Sequence, residues 1–593
     1  MFSKLLITSG FIAISGCYQF EKHILDTSQP PNILPDPQNM TFGEVSAFID
    51  PCNFQLRQDE KFLKSKEPIE KLYSYFESKF FSDYKDDCSK RKFRATDDLA
   101  LIKYISLETK EVEIKELLNP DILQTDESYD LEILMDTQQI TIKANQYVGL
   151  VRGLSTMTQL IKKSYTQKGF YQIDQLPIVI HDAPRYPFRG FMLDTARHYM
   201  TMDVIRQLID AMTVAKFSVL HWHIVDDESF PLVLDSFPSI AEHGAYSPDH
   251  VYTKENVKEI VEYALIVGLR VIPEFDNPGH TRSIGLDPSL RDIIRCFDQT
   301  NVFDTNVKGE AYQIEGDRTG ILDPLMNKTY DFLRGVFTDL NSWFPDNLLM
   351  MGGDEVKLTC YNENPNVTDF MKEKNFTTLE QLLNYQLRQS REILREVNPD
   401  KVAMYWSNPK SLYFDQSEND VLLWWGDSNM TAFKEAYPKN KYVLYTLTSY
   451  YLDCGRGNKF GGDTWWSGRN FLHWMTIYEQ EPTEIIQDDL LMGGAVAAWS
   501  ELYDSDSLHA NMWPRAAAFA DRYWSKNQAV NLQKVAMRLN SFKDVITRLG
   551  IPSAPITSGY CEIGMQCLHR LPNTTMTEEV NTFEKMQSNV VLE

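Results

Sequence analysis

The chain has 593 residues, of which 43% are hydrophobic, with a formal net charge of -24 and a sequence pI near 5.0. This content can bury a large core, and the length predicts two or three domains. The strong negative charge argues against nucleic acids and anionic membranes as partners, but it does not identify a substrate.

Residues 1–17 have the pattern of a signal peptide: Lys4, then the apolar run Leu5 to Ile14, then small residues ending at Cys17. The same end resembles a bacterial lipoprotein cleavage site, which would leave Cys17 lipidated, and a buried or disordered N-terminus is the third alternative. No later apolar run approaches the roughly 18 residues that span a bilayer. We therefore expect no membrane span and a secreted, extracellular or lysosome/vacuole-like location. Residues 18–40, rich in Pro, Asn and Gln, are typical of a linker.

The cysteines and glycosylation motifs fit the same compartment. Proximity suggests the pairs Cys52–Cys88, Cys296–Cys360 and Cys561–Cys567, which would leave Cys454 over. The alternative is that all are buried thiols. Asn-x-Ser/Thr motifs, which favour a secreted glycoprotein weakly, occur at Asn39, Asn327, Asn366, Asn375, Asn429 and Asn573.

Residues 41–182 are predicted to form a small α/β accessory domain. Strand-like runs at 131–134 and 139–142 precede a run from Tyr147 to Ile161 with apolar residues at helical spacing. This region shows no catalytic pattern.

Residues 183–550 are predicted to form a (β/α)8 barrel, because short apolar runs alternate with helix-like stretches. The predicted helices include 202–217, 254–267, 329–344 and 379–397. The predicted strands are 191–193, 219–225, 271–275, 348–351, 402–406, 421–425, 443–447 and 495–499. Residues 551–593 are left as a C-terminal tail containing the predicted disulfide Cys561–Cys567.

Each predicted strand leads into acidic, aromatic or basic residues, and in a barrel these strand ends meet at one mouth. The fourth strand runs through two glycines into Asp354 and Glu355. Neighbouring strand residues point to opposite sides, so we expect different roles for these two acids. Acids, tryptophans and one arginine around a mouth, without a phosphate loop, suit a neutral polyhydroxylated ligand such as a sugar.

Six stretches of the chain resemble glycoside hydrolase family 20, the β-N-acetylhexosaminidases, over about residues 185–525. They are 189–199 (RGFMLDTARHY), 220–227 (LHWHIVDD), 273–280 (PEFDNPGH), 352–356 (GGDEV), 449–453 (SYYLD) and 498–501 (AWSE). The first region resembles the accessory domain of that family, and Tyr451-Leu452-Asp453-Cys454-Gly455 looks closest to fungal-type members. Residues 455–480 contain no cysteine, so Cys454 lacks the partner that the fungal pattern provides.

The resemblance implies an exo-acting enzyme that removes terminal β-linked N-acetylglucosamine, and also N-acetylgalactosamine, from chito-oligosaccharides or glycans. The reaction retains configuration and uses the substrate's own acetamido group as nucleophile, through an oxazolinium intermediate. It implies Glu355 as general acid and base, Asp354 and Tyr451 as the residues that orient the acetamide, and Asp226 and His280 as a relay.

The resemblance also assigns sugar contacts. Arg197 would bind the C3 and C4 hydroxyls, and Asp453 and Glu501 those at C6 and C4. Trp406, Trp425 and Trp499 would wall the ring and the acetamido pocket, and Trp474 would be a platform for a second sugar. No cofactor or metal is expected, and a homodimer is a further prediction.

Several alternatives stay open on the residues alone. His221 and His223 could form a metal pair or be buried, hydrogen-bonded histidines, and Arg197 could be a core ion-pair partner of Asp194. The chain could be a carbohydrate-binding protein on a barrel without catalysis. It could also be a glycosidase with a protein nucleophile, which would hydrolyse plain β-glucosides.

Overall fold

The computed structural model describes residues 29–57, 67–81, 88, 100–112, 122–298, 320–407, 414–426, 430–450, 452, 472–486, 489–526 and 529–557. Within these ranges no helix has both the length and the apolarity needed to cross a bilayer. Two disulfides, Cys52–Cys88 and Cys296–Cys360, join the pairs predicted from proximity. Cys17, Cys454, Cys561 and Cys567 lie outside the described residues.

The N-terminal region contains a six-stranded sheet and a four-stranded sheet. The larger has the order β1-β10-β6-β7-β5-β3 and the smaller β4-β2-β9-β8. The strands are β1 (Asn39–Thr41), β2 (Val45–Ile49), β3 (Gln55–Arg57), β4 (Leu101–Ile102), β5 (Tyr104–Glu111), β6 (Tyr129–Leu134), β7 (Gln139–Gln146), β8 (Lys162–Lys163), β9 (Tyr171–Leu176) and β10 (Ile178–Asp182). The helices are α1 (Glu67–Phe80) and α2 (Tyr147–Leu160), and every residue of α2 is buried.

Eight parallel strands close into a barrel, as the alternation of runs predicted. They are β11 (Phe188–Asp194), β12 (Val219–His223), β13 (Arg270–Glu274), β16 (Leu348–Met350), β17 (Val402–Ser407), β18 (Val421–Gly426), β19 (Lys441–Thr446) and β20 (Leu491–Ala498). A separate two-stranded ribbon consists of β14 (Ile294–Arg295) and β15 (Ile321–Leu322).

Helices follow the barrel strands. They are α3 (Met202–Val214), α4 (Ser239–Gly244), α5 (Lys254–Ile266), α6 (Asn327–Trp343), α7 (Val367–Glu373), α8 (Leu379–Val397), α9 (Thr431–Ala436), α10 (Leu447–Tyr450), α11 (Trp474–Glu479), α12 (Pro482–Ile485), α13 (Leu508–Met512), α14 (Arg515–Trp524) and α15 (Leu532–Arg548). Short 3-10 helices lie at Ile122–Gln124, Arg282–Leu286, Arg291–Ile293, Leu358–Glu363 and Ser500–Leu502.

The helix α5 shows why the local pattern was informative. The Thr253 side chain accepts a hydrogen bond from the backbone N–H of Asn256, and the Asn256 side chain caps Thr253 in return. Gly268 has φ +67° just after the helix, a conformation that suits glycine and ends the helix.

The accessory domain docks on the amino ends of the barrel strands through buried charges. Glu127 receives hydrogen bonds from Arg152 of α2 at 2.7 Å and from Arg189 of β11 at 2.6 and 2.9 Å. Asp182 of β10 pairs with Lys216 at 2.9 Å and with the indole N–H of Trp524 at 3.1 Å. The accessory domain and the barrel therefore share a buried polar interface as well as an apolar core.

Candidate active site

The predicted site residues gather at the carboxyl ends of the barrel strands. Arg197 follows β11, Asp226 follows β12 and His280 follows β13, while Asp354 and Glu355 follow β16. The remaining described members are Trp406 on β17, Trp425 on β18, and Trp499 and Glu501 after β20. Tyr451 and Asp453 lie outside the described residues.

An unusual backbone separates the two adjacent acids. Gly352, Gly353 and Glu355 have φ values of +69°, +88° and +47°. A β-carbon on Gly352 would lie 1.6 Å from Oδ1 of Asp276, so this position requires glycine. The positive φ of Glu355 is strained for a non-glycine residue, as is often seen at functional sites.

Asp354 and Glu355 have opposite environments, as expected, but strand alternation is not the cause. Strand β16 ends at Met350, and the turn that follows separates the two side chains. Asp354 is 7% exposed, and its Oδ1 has no hydrogen-bond partner among the described residues. The side chain of Glu355 is 63% exposed.

Burial gives the two carboxyls different affinities for protons. Loss of solvation raises the pKa of Asp354 to about 7, with the nearby Glu355 adding to the shift. Glu355 lies 3.6 Å from Nε2 of His280, and this imidazole holds the pKa of Glu355 below its usual value.

His280 connects Glu355 to a buried carboxylate. Its Nδ1 lies 3.0 Å from Oδ1 of Asp226, which is 1% exposed. Burial disfavours the charged imidazole, but Asp226 outweighs that effect and the pKa of His280 stands well above its usual value. His280 therefore carries a proton between two carboxylates.

The barrel interior below the mouth contains a hub that the sequence reasoning did not assign. Glu274 of β13 lies 2.7 Å from Nε2 of His221 and 2.8 Å from Nδ1 of His223, and it accepts the indole N–H of Trp406 at 2.7 Å. His223 then reaches Asp226 through Nε2 at 2.7 Å. The alternation His221-Trp222-His223 and the pairing of His223 with Glu274 in the sheet register were the signals available.

These contacts decide between the two interpretations of the histidine pair. Both histidines are buried, and each is hydrogen-bonded to a carboxylate, His221 to Glu274 and His223 to Asp226, as expected for the second alternative. Trp222 points to the other side, where it donates to Oγ1 of Thr195 at 3.0 Å.

Two groups of side chains have the spacing of metal ligands. The groups Asp226–Asp227–His280 and Asp276–His280–Asp354 each place their ligand atoms within 4.8 Å of one another. Both depend on His280, whose Nδ1 and Nε2 already face Asp226 and Glu355. With one ring nitrogen toward each carboxylate, the arrangement suits transfer of a proton between His280 and Glu355.

Arg197 is held by three carboxylates at the mouth. Its guanidinium lies 2.8 Å from Asp226, 3.1 Å from Glu228 and 3.5 Å from Asp194, and it stacks over the ring of Trp499 at 5.1 Å. The predicted alternative, an ion pair with Asp194, is therefore one part of a larger arrangement. Glu228 is a member that the sequence reasoning missed.

An aromatic wall lines the mouth. The ring of Trp406 lies 6.0 Å from that of Trp499, and Trp425 stacks on Tyr450 at 5.4 Å and 18°. Tyr450, which was not predicted, also contacts Trp499 at 6.0 Å. The indole N–H groups of Trp425 and Trp499 are buried without a hydrogen-bond partner among the described residues.

Trp474 does not belong to this wall, which corrects the prediction of a sugar platform. Its side chain is 2% exposed and packs in the apolar core outside the barrel lumen, whereas Trp406 and Trp499 pack in the lumen. Its indole N–H donates to the carbonyl of Ile556 at 2.8 Å. Because the ring is buried and bonded to the segment that contains Ile556, it presents no exposed face to a second sugar among the described residues.

Comparison with known proteins identifies the family. Residues 186–527 match the model of glycosyl hydrolase family 20, catalytic domain, and residues 33–160 match a model described as beta-acetyl hexosaminidase like. The chain is 34% identical to β-hexosaminidase subunit alpha of Rattus norvegicus, over 74% of this chain and 78% of that protein. It is 31% identical to subunit beta of the same organism, over 90% of this chain and 93% of that protein.

Solved structures share the fold. A GH20 exo-β-N-acetylglucosaminidase from Vibrio harveyi, in complex with N-acetylglucosamine, aligns with a TM-score of 0.70 at 20% identity. The alignment covers 89% of this chain and 78% of that chain. The chain therefore belongs to glycosyl hydrolase family 20 and is a glycoside hydrolase of the β-N-acetylhexosaminidase type.

Proposed function

We propose that the enzyme removes terminal β-linked N-acetylglucosamine, and N-acetylgalactosamine, from chito-oligosaccharides or glycans with retention of configuration. The observation that carries the proposal is the pair Asp354 and Glu355, one buried and one at the open mouth. Two adjacent acids in such different environments can serve two different parts of one sugar.

Glu355 is the general acid of the first step. It protonates the glycosidic oxygen while the bond from C1 to that oxygen breaks, and it later takes a proton from the attacking water. In the free enzyme the charged His280 keeps Glu355 ionised, so the proton to be delivered lies on an imidazole 3.6 Å away. Asp226 stabilises that imidazolium at 3.0 Å.

Asp354 and Tyr451 act on the acetamido group. The carbonyl oxygen of this group attacks C1 and forms the oxazolinium ion, with Tyr451 as the proposed donor to that oxygen. The Oδ1 of Asp354, which has no hydrogen-bond partner among the described residues, is suited to accept the acetamido N–H, because a buried oxygen without a partner is costly until a ligand binds it. As positive charge develops on the acetamide, the Asp354 carboxylate stabilises it.

The remaining residues bind the sugar. Arg197 is proposed to contact the C3 and C4 hydroxyls, and Asp453 and Glu501 the hydroxyls at C6 and C4. Trp406, Trp425 and Trp499 supply apolar faces for the ring and the acetamido methyl. The indole of Trp406 is fixed by Glu274 and so forms a rigid wall.

The test compares wild type with Glu355→Gln on a chromogenic β-N-acetylglucosaminide and on the matching β-glucoside. We expect hydrolysis of the acetamido substrate alone, and a loss of kcat on the order of 10²–10⁴-fold in the variant. Comparable β-glucoside activity would favour a protein nucleophile instead of the acetamido group. Near-normal turnover by the variant would remove Glu355 from the mechanism.

We also propose a secreted or lysosome-like location. The disulfides Cys52–Cys88 and Cys296–Cys360 support it, because such bonds persist in oxidising compartments. The check is microscopy of the tagged full-length protein, where a cytosolic signal would contradict the proposal. The homodimer stays a prediction, to be measured by sedimentation.

A further inference from the structure

Glu228 occupies a particular position among the three carboxylates around Arg197. Asp194 and Asp226 are 0% and 1% exposed, whereas the side chain of Glu228 is 42% exposed. Glu228 binds Nε of Arg197 at 3.1 Å and so closes the outer side of the guanidinium. It is the member of this cluster that faces solvent at the mouth.

The carboxylates around Arg197 oppose the attraction for anionic groups that its guanidinium would have alone. An isolated guanidinium at a binding site attracts sulfate and carboxylate groups, which it binds with two parallel hydrogen bonds. Here Asp226 already occupies one terminal nitrogen at 2.8 Å, and Asp194 lies 3.5 Å from the other. With Glu228 on Nε, three carboxylates contact this guanidinium, and Asp226 is also paired with His223 and His280, whereas Glu228 is the exposed one.

The mouth edge beside Arg197 has a further fixed element. The hydroxyl of Tyr246 donates to the backbone carbonyl of Arg197 at 2.9 Å, and the Tyr246 residue is 51% exposed. This hydrogen bond fixes the backbone at Arg197, so that Arg197 and Glu228 keep their positions at the edge of the mouth.

We propose that Glu228 is a specificity-determining residue that makes the enzyme select sugars without an anionic substituent at C3 or C4. The proposal rests on the proposed function, because it places the C3 and C4 hydroxyls next to Arg197. A sulfate or carboxylate on either oxygen would approach the solvent-facing Glu228 carboxylate, and like charges at such short range repel strongly. A neutral hydroxyl meets no such repulsion.

The experiment measures kcat/KM for a 4-nitrophenyl N-acetyl-β-glucosaminide and for the same compound sulfated on the C4 hydroxyl. The proteins are wild type, Glu228→Gln and the control Glu262→Gln, which removes one exposed carboxylate from the outer helix α5. We expect the ratio of sulfated to neutral activity to rise on the order of tenfold in Glu228→Gln. It should stay at the wild-type value in the control.

Other outcomes would overturn the proposal. An unchanged ratio, or equal losses on both substrates, would mean that Glu228 only supports the position of Arg197. Added salt provides a second readout, because screening should weaken the discrimination of wild type and leave that of Glu228→Gln nearly unchanged. Failure of the proposed function is distinguished by the neutral substrate, which Glu355→Gln must fail to hydrolyse whatever Glu228 does.

Discussion

Buried charges occur at both ends of the barrel, and they are arranged in opposite ways. At the accessory-domain interface, both oxygens of Glu127 are bound by Arg152 and Arg189. At the mouth, three carboxylates contact Arg197, and Asp354 keeps an oxygen without a partner among the described residues. The interface therefore satisfies both oxygens of its carboxylate internally, whereas the mouth leaves a carboxylate oxygen available to a ligand.

The pKa directions follow the same division. Burial alone would raise the pKa of Glu127, but Arg189 and Arg152 overcome it and hold this pKa below its usual value. For Asp354 burial prevails and the pKa is raised to about 7. The interface favours the ionised form of its carboxyl group, and burial at the mouth disfavours the ionised form of Asp354.

The largest effect should come from breaking the interface. Glu127→Ala leaves two buried guanidinium groups without their carboxylate, and we expect a loss of about 3–5 kcal/mol in the free energy of unfolding. Urea denaturation of the full chain measures it, with Glu262→Gln as a surface control expected within about 0.5 kcal/mol. A loss below about 1 kcal/mol would show that the interface charges contribute little.

Asp354→Asn should separate activity from stability at the mouth. We expect kcat to fall on the order of 10²–10³-fold, because an amide cannot stabilise the charge that develops on the acetamide. Steady-state kinetics on the chromogenic N-acetylglucosaminide measures this loss. A kcat within a few-fold of wild type would exclude the role given to Asp354.

The same variant should change the pH dependence of stability. The folded-state pKa of Asp354, about 7, is raised above its unfolded value. The protonated carboxyl therefore contributes fully to the free energy of unfolding below about pH 4, and this contribution is lost as pH rises through 7. The amide that replaces this carboxyl cannot ionise, so the stability of Asp354→Asn relative to wild type should be roughly 4 kcal/mol greater at pH 8 than at pH 4. An equal difference at both values would contradict the assignment.

Glu274→Gln should test whether the hub supports the relay. Removing the charge of Glu274 removes a group that raises the pKa of His223. His223 would then pair less strongly with Asp226, the carboxylate that also holds His280. We expect kcat to fall about tenfold, with the acidic limb of the kcat profile displaced, while a purely structural role would leave the profile in place. Trp406→Phe removes the indole bond to Glu274 and part of the aromatic wall but keeps the Glu274 charge, so kcat and KM should change while the pH profile keeps the wild-type shape.

The smallest effect should be that of Trp474→Phe. Losing the bond to the Ile556 carbonyl in the core should cost about 1 kcal/mol of stability and leave KM for chito-oligosaccharides unchanged. Trp499→Phe serves as the matched comparison, and we expect it to raise KM. A raised KM in Trp474→Phe would restore the platform role that the structure contradicts.

The barrel, its strand order and the acids after its fourth strand could all be predicted from the amino-acid sequence. These features are encoded locally: apolar runs of strand length, helices with caps such as Thr253, and motifs of a few adjacent residues. The roles of Arg197, Asp226 and His280 came from the resemblance to glycoside hydrolase family 20, whose motifs lie in the segments after the predicted strands.

The contacts between these side chains could not be predicted locally and became visible in the tertiary structure. The turn that separates Asp354 from Glu355 exists because Asp276, from the segment after β13, fills the space that a side chain at Gly352 would need. The hub around Glu274 joins residues from β12, β13 and β17. Trp474 lies in the core, where its indole N–H donates to the carbonyl of Ile556. Such contacts depend on the packing of distant segments, for which local periodicity and motifs carry no signal.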